Sequence, residues 1–106
     1  RVVSQYGSIG VSKAALESLT RYLAAELAPR GITVNAISAG AVATEVWDIL
    51  PDGQEILSKI RENTPGGRLL TPEEIAEIVF FLVGPDARMI QGQVIVVDGG
   101  YSLQAS

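Results

Sequence analysis

YGSIGVSKAALESLTRYLAAELAPR, residues 6–30, has the composition of one long helix. Ala14, Ala15, Leu16, Leu19, Leu23, Ala24, Ala25 and Leu27 are strong helix formers, and Pro29 with Gly31 supplies the stop. Val11, Ala15, Leu19 and Tyr22 share one face, and Leu16, Leu23 and Leu27 lie about 100° from it. Apolar coverage this wide predicts burial against more than one neighbour. Tyr6 and Lys13 stand seven residues apart, which returns them to within about 20° of one direction and separates them by about 10 Å along the axis. A phenol on that face can donate to a developing oxyanion, and an ammonium beside it can bind hydroxyls. Taken alone, the pair is more simply a packed tyrosine beside a solvated lysine.

Working outward, ITVNAIS (32–38) reads as a short strand covered on both faces, the pattern of a parallel sheet between helices. AGAVAT (39–44) follows as a small, flexible loop, with Gly40 where backbone can approach a ligand closely. It is either a plain turn or part of a site, since ligands of open α/β sheets bind at the carboxyl ends of strands. Residues 45–64 predict one or two short amphipathic helices broken around Pro51, Asp52 and Gly53. They form either a mobile cover over an apolar substrate or an ordinary surface helical pair. Thr71-Pro72-Glu73-Glu74 is a complete helix start, with Thr71 as N-cap and Glu74 closing a reciprocal capping box. Ile75, Ile78, Val79, Leu82 and Val83 form the expected buried stripe before Gly84-Pro85 ends it. QVIVVDGG (93–100) is a second buried strand. The order helix, strand, irregular helical segment, helix, strand predicts an α/β fold containing a βαβ unit.

Composition removes several function classes. The net charge is −4, and the eight Lys and Arg are dispersed, leaving no basic stripe for nucleic acid. Without His or Cys there is no disulfide and no metal site is expected, so catalysis would rest on Tyr, Lys, Ser, Thr or carboxylates. The longest nearly apolar run, 75–83, is too short to span a bilayer. RVVSQYGS has no signal-peptide pattern, and a cytoplasmic location is expected.

The Tyr and Lys helix, VNAISAGAVAT, TPEEIAEIVFFLV and GQVIVVDGG together resemble the C-terminal half of the short-chain dehydrogenase/reductase superfamily, across essentially the whole chain. Most members carry the active tyrosine four residues before the lysine, where this chain has Ile9. Tyr6, seven before Lys13, is similar to the spacing in enoyl-acyl-carrier-protein reductases, as are Gly10, the run KAALE and Ala39 in place of a proline. NTPGGRLL and ARMIQGQVIVVDGGYSL look most like the type III enzymes of that group.

The resemblance implies a Rossmann-like, doubly wound parallel sheet, of which two strands and three to four helices are present. It implies NADPH or NADH as cofactor and an acyl-carrier-protein thioester as substrate. Tyr6 would hydrogen-bond the thioester carbonyl, and Lys13 would bind the nicotinamide ribose. The backbone at Ala39, Gly40, Ala41 and Val42 would meet the nicotinamide amide, and the Thr44 hydroxyl would approach the pyrophosphate. Trp47, Ile49 and Leu50 would line or cover the acyl channel.

The family's glycine-rich strand-turn-helix for dinucleotide binding is absent from these residues. Residues 1–106 are therefore expected to be the C-terminal portion of a single Rossmann-like reductase domain, inactive alone. Two strands leave open edges, so the chain is expected to form a homo-oligomer or to require the missing half. A 3-oxoacyl or alcohol-type short-chain reductase and a non-enzymatic oligomerising fragment are the alternatives.

Overall fold

A computed structural model describes residues 7–103, which contain four α-helices and two strands. The helices are α1 (Gly7–Leu27), α2 (Val46–Ile49), α3 (Gly53–Glu62) and α4 (Pro72–Leu82), and the strands are β1 (Ala36–Ala39) and β2 (Val94–Val97). The strands pair in parallel, which gives the α/β class expected from the sequence. These residues fall into two compact units, 7–36 with 81–95 and 37–80 with 96–103.

In the first unit, α1 gives way to a single 3₁₀ turn, Ala28–Arg30, which Gly31 ends in the left-handed conformation. The face of α1 that packs is the small one, where Thr20 and Ala24 are buried. Val11 and Tyr22, expected inside, are each 71% exposed, and Leu16 and Leu19 are exposed as well. Close approach selects a small residue at Ala24: a Cβ built on Gly92 would lie 3.2 Å from that of Ala24, a spacing that a leucine at that position would not permit.

Gln91 holds the passage from helix to strand. Its side-chain amide donates to Ala24 O at 2.8 Å and Ile32 O at 3.0 Å, and its oxygen accepts the Val34 N–H at 2.8 Å. Asn35 likewise donates to Ile90 O and accepts from Gln93 N–H, both at 3.0 Å. These side chains, in addition to backbone bonds such as Gly92 N–H to Val34 O at 2.9 Å, occupy residues 32–35. The strand consequently begins at Ala36 rather than at Ile32. Both strands are half-buried rather than covered on two faces, and Val96 is 54% exposed.

In the second unit, residues 45–64 form two helices broken at Pro51 and Asp52, as expected, with Gly53 opening α3. The capping box at α4 is present in full: Glu74 N–H donates to Thr71 Oγ1 at 3.2 Å, and Thr71 N–H donates to Glu74 Oε1 at 3.0 Å. Of the stripe on α4, whose last residues from Phe81 belong to the first unit, Ile75, Ile78 and Leu82 are half-buried, whereas Val79 and Val83 are exposed.

Candidate functional site

Parallel pairing brings the carboxyl ends of both strands to one edge of the second unit. Gly40 N–H donates to Val97 O at 2.9 Å, and a Cβ on Gly40 would sit 2.8 Å from Asp98 Cβ, so only glycine allows the two strand ends to lie this close. Asp98 folds the chain that follows. Its carboxylate accepts the N–H groups of Gly100 at 2.9 Å and Ser102 at 3.0 Å. Partial burial pushes the Asp98 carboxyl up, but bonds from Ser102, Gly100 and Tyr101 outweigh it and hold the group below the usual range.

Beside this edge lies a cleft of about 300 Å³, at the small end of the range for ligand sites. Gly40 and Ala41 line it, together with Arg68, Glu74, Asp98 and Tyr101, four residues to which sequence reasoning gave no role there. Arg68 grips Glu74 with two parallel bonds, 2.7 Å to Oε1 and 2.5 Å to Oε2. That guanidinium, then the Thr71 amide, lowers the Glu74 carboxyl to about 2, and Glu74 in turn raises Arg68. Both side chains are solvent-screened, which keeps the pair's contribution to stability small. An aspartate directly before two glycines is the sequence signal that would have found the Asp98 turn.

Past Gly40 the chain stays extended. Val42 bridges Leu70 in parallel, with Leu70 N–H donating to Ala41 O at 3.3 Å and Ala43 N–H donating to Leu70 O at 2.9 Å. In such a bridge the flanking residues face the partner, and the N–H and C=O of the central residue point the other way together. On that side the Trp47 indole N–H donates to Val42 O at 2.9 Å.

Tyr6 lies outside the described residues. Lys13 is exposed on α1 in the first unit, whereas Ala39, Gly40, Ala41, Val42, Thr44, Trp47, Ile49 and Leu50 are all in the second. Of these eight, only Gly40 and Ala41 line the cleft. Thr44, Ile49 and Leu50 are exposed, and Trp47 is half-buried. Among the described residues no acidic group of three could hold a metal ion, and no helix is long and apolar enough to cross a membrane.

Residues 1–102 match the family described as enoyl-(acyl carrier protein) reductase. The chain belongs to the short-chain dehydrogenase/reductase superfamily. This superfamily is one of NAD(P)-dependent reductases, and the chain corresponds to its C-terminal part. It is 40% identical over 103 residues to an NADH-dependent enoyl-acyl-carrier-protein reductase of Rhizobium meliloti, covering 97% of this chain and 38% of that protein. A 3-oxoacyl-acyl-carrier-protein reductase of Aquifex aeolicus is 41% identical over 104 residues, covering 93% and 41% respectively. Among solved structures, a short-chain dehydrogenase/reductase of unknown function from Caenorhabditis elegans, with cofactor, superposes with a TM-score of 0.89 at 34% identity. That match covers 100% of this chain and 42% of the other. The chain thus spans about two-fifths of the length of the relatives it matches.

Proposed function

We propose that this chain is the C-terminal portion of a cytoplasmic, homo-oligomeric reductase of fatty-acid biosynthesis. It would act on the trans-2 double bond of enoyl-acyl-carrier-protein thioesters with NADPH or NADH. The observation that carries the reductase reading is Val42. Its N–H and C=O project together from an extended segment, at the carboxyl end of a parallel sheet, just past a glycine that must stay glycine. A donor and an acceptor side by side complement a primary carboxamide, the group that distinguishes nicotinamide. Backbone amides and the exposed Thr44 hydroxyl likewise suit a pyrophosphate, so the residues present fit the group.

When bound, the dinucleotide supplies a hydride to the β-carbon. The protein's own residues orient and stabilise. Tyr6 donates a hydrogen bond to the thioester carbonyl as negative charge develops on that oxygen, an interaction stronger in the transition state than in the ground state. Lys13 binds the ribose hydroxyls. Ala39, Gly40 and Ala41 carry the backbone to Val42, and Trp47, Ile49 and Leu50 offer apolar surface to the acyl chain.

The Tyr6 to Lys13 spacing, with Ile9 at the more common tyrosine position, supports enoyl over 3-oxoacyl reduction. The 3-oxoacyl reading stands second, favoured by the comparable identity to the Aquifex aeolicus enzyme. Assaying the full-length protein with crotonyl and acetoacetyl thioesters separates the two. The enoyl reading expects NAD(P)H oxidation with crotonyl thioester only, and turnover of acetoacetyl thioester alone would establish the alternative.

A further inference from the structure

Trp47 makes a contact that lining an acyl channel would not require. Its indole N–H donates to Val42 O at 2.9 Å, five residues back along the chain. The Leu70 bridge engages Ala41 O and Ala43 N–H and leaves the Val42 peptide groups to the opposite side, so Trp47 is what fixes the Val42 carbonyl there. Trp47 is itself held from behind. A Cβ on Gly53 would lie 1.9 Å from Trp47 O, so the first residue of α3 presses directly against its backbone. Gln54 Nε2 also bonds Asp48 Oδ1 at 2.8 Å, tying α2 to α3.

We infer that Trp47 is a positioning residue for nicotinamide binding: its indole fixes the Val42 carbonyl through one lone pair and leaves the other for the carboxamide. The inference rests on the cofactor reading above and assigns to the start of α3, through Trp47, the orientation of the group that recognises nicotinamide. A carbonyl oxygen has two acceptor sites, so the indole and a carboxamide NH₂ need not compete. Fixing the peptide plane beforehand removes an ordering cost that the ligand would otherwise meet.

The test uses the full-length protein and two probes, the dinucleotide (NADH or NADPH) and the matching ADP-ribose, bearing the 2′-phosphate where the dinucleotide is NADPH, which shares the dinucleotide's adenosine and pyrophosphate but lacks nicotinamide. Binding is measured by calorimetry. Trp47→Phe keeps an aromatic ring and removes the N–H. It is expected to weaken nicotinamide dinucleotide binding about fivefold, the share of one hydrogen bond, with ADP-ribose affinity unchanged. If Trp47→Phe does not fold, site-specific replacement of Trp47 by benzothienylalanine, which keeps the bicyclic shape without the N–H, is expected to give the same split. Equal weakening of both probes, or no change in either, overturns the positioning role while leaving the cofactor reading intact. A wild-type protein that binds ADP-ribose and nicotinamide dinucleotides with equal affinity overturns the Val42 reading and this inference together.

Discussion

Glu74 is held at about 2, below its ordinary 4.5, by Arg68 first and then by Thr71. A lowered folded value contributes stability that is present above about pH 4.5 and is lost as pH falls toward 2. Glu74→Gln is therefore expected to lower the melting temperature modestly at pH 7 and to flatten the melting profile between those limits. Thermal melts at pH 7 and pH 3 measure both effects. Thr71→Ala removes the other half of the cap and is expected to cost about 1 kcal/mol. In the proposed active site, Tyr6→Phe should lower kcat by about 10²-fold or more and leave cofactor affinity within about twofold. Lys13→Ala should weaken cofactor binding as well, as single-turnover kinetics with calorimetry would show. The capping box was legible in the sequence because its partners are three residues apart and local chemistry specifies them. Gln91 was not, because it bonds Val34 and Ala24, residues 57 and 67 positions away. No periodicity encodes that distance.

Between elements, close approach of backbone decides more than apolar patterning does. At Gly53, helix propensity alone favours alanine by about 1 kcal/mol. The Trp47 carbonyl, 1.9 Å from where the methyl would stand, reverses that preference. Gly53→Ala is expected to destabilise by about 1–3 kcal/mol, read from the urea midpoint, with the α2 to α3 junction opening first. The helix break at Pro51 and Asp52 could be read from residue types, and Asp52 does adopt the left-handed conformation there. The need for glycine one position later could not be read, since it depends on where the Trp47 carbonyl lies. The strand ends show the same division. AGAVAT was recognisable as a loop at a carboxyl edge, but the Val42 to Leu70 bridge joins residues that no local pattern connects. The wide apolar face of α1 was legible as apolar, but which residues pack within this chain was not, because the close approach of Gly92 selects Thr20 and Ala24.

At the scale of the molecule, the described residues bury few apolar side chains: Ala24, Leu57 and Ala87 are the ones below the surface. Phe80 is 80% exposed, and Val11, Leu16, Tyr22, Val83 and Met89 are exposed too. That much uncovered apolar surface is unusual for an isolated monomer. Residues 1–106 alone are expected to self-associate and to bind a hydrophobic dye, by light scattering and dye fluorescence. Joined to the remainder of a reductase domain, they should lose dye binding. A monodisperse, dye-silent monomer would contradict the proposal that these residues are a portion of a larger domain. The scarcity of buried apolar side chains also governs calorimetric behaviour. The heat-capacity increment of unfolding comes mainly from apolar groups newly hydrated, about 12–15 cal/mol/K per residue in ordinary domains. With so little left to hydrate, the isolated chain at high dilution should show a markedly smaller increment and a flatter dependence of stability on temperature.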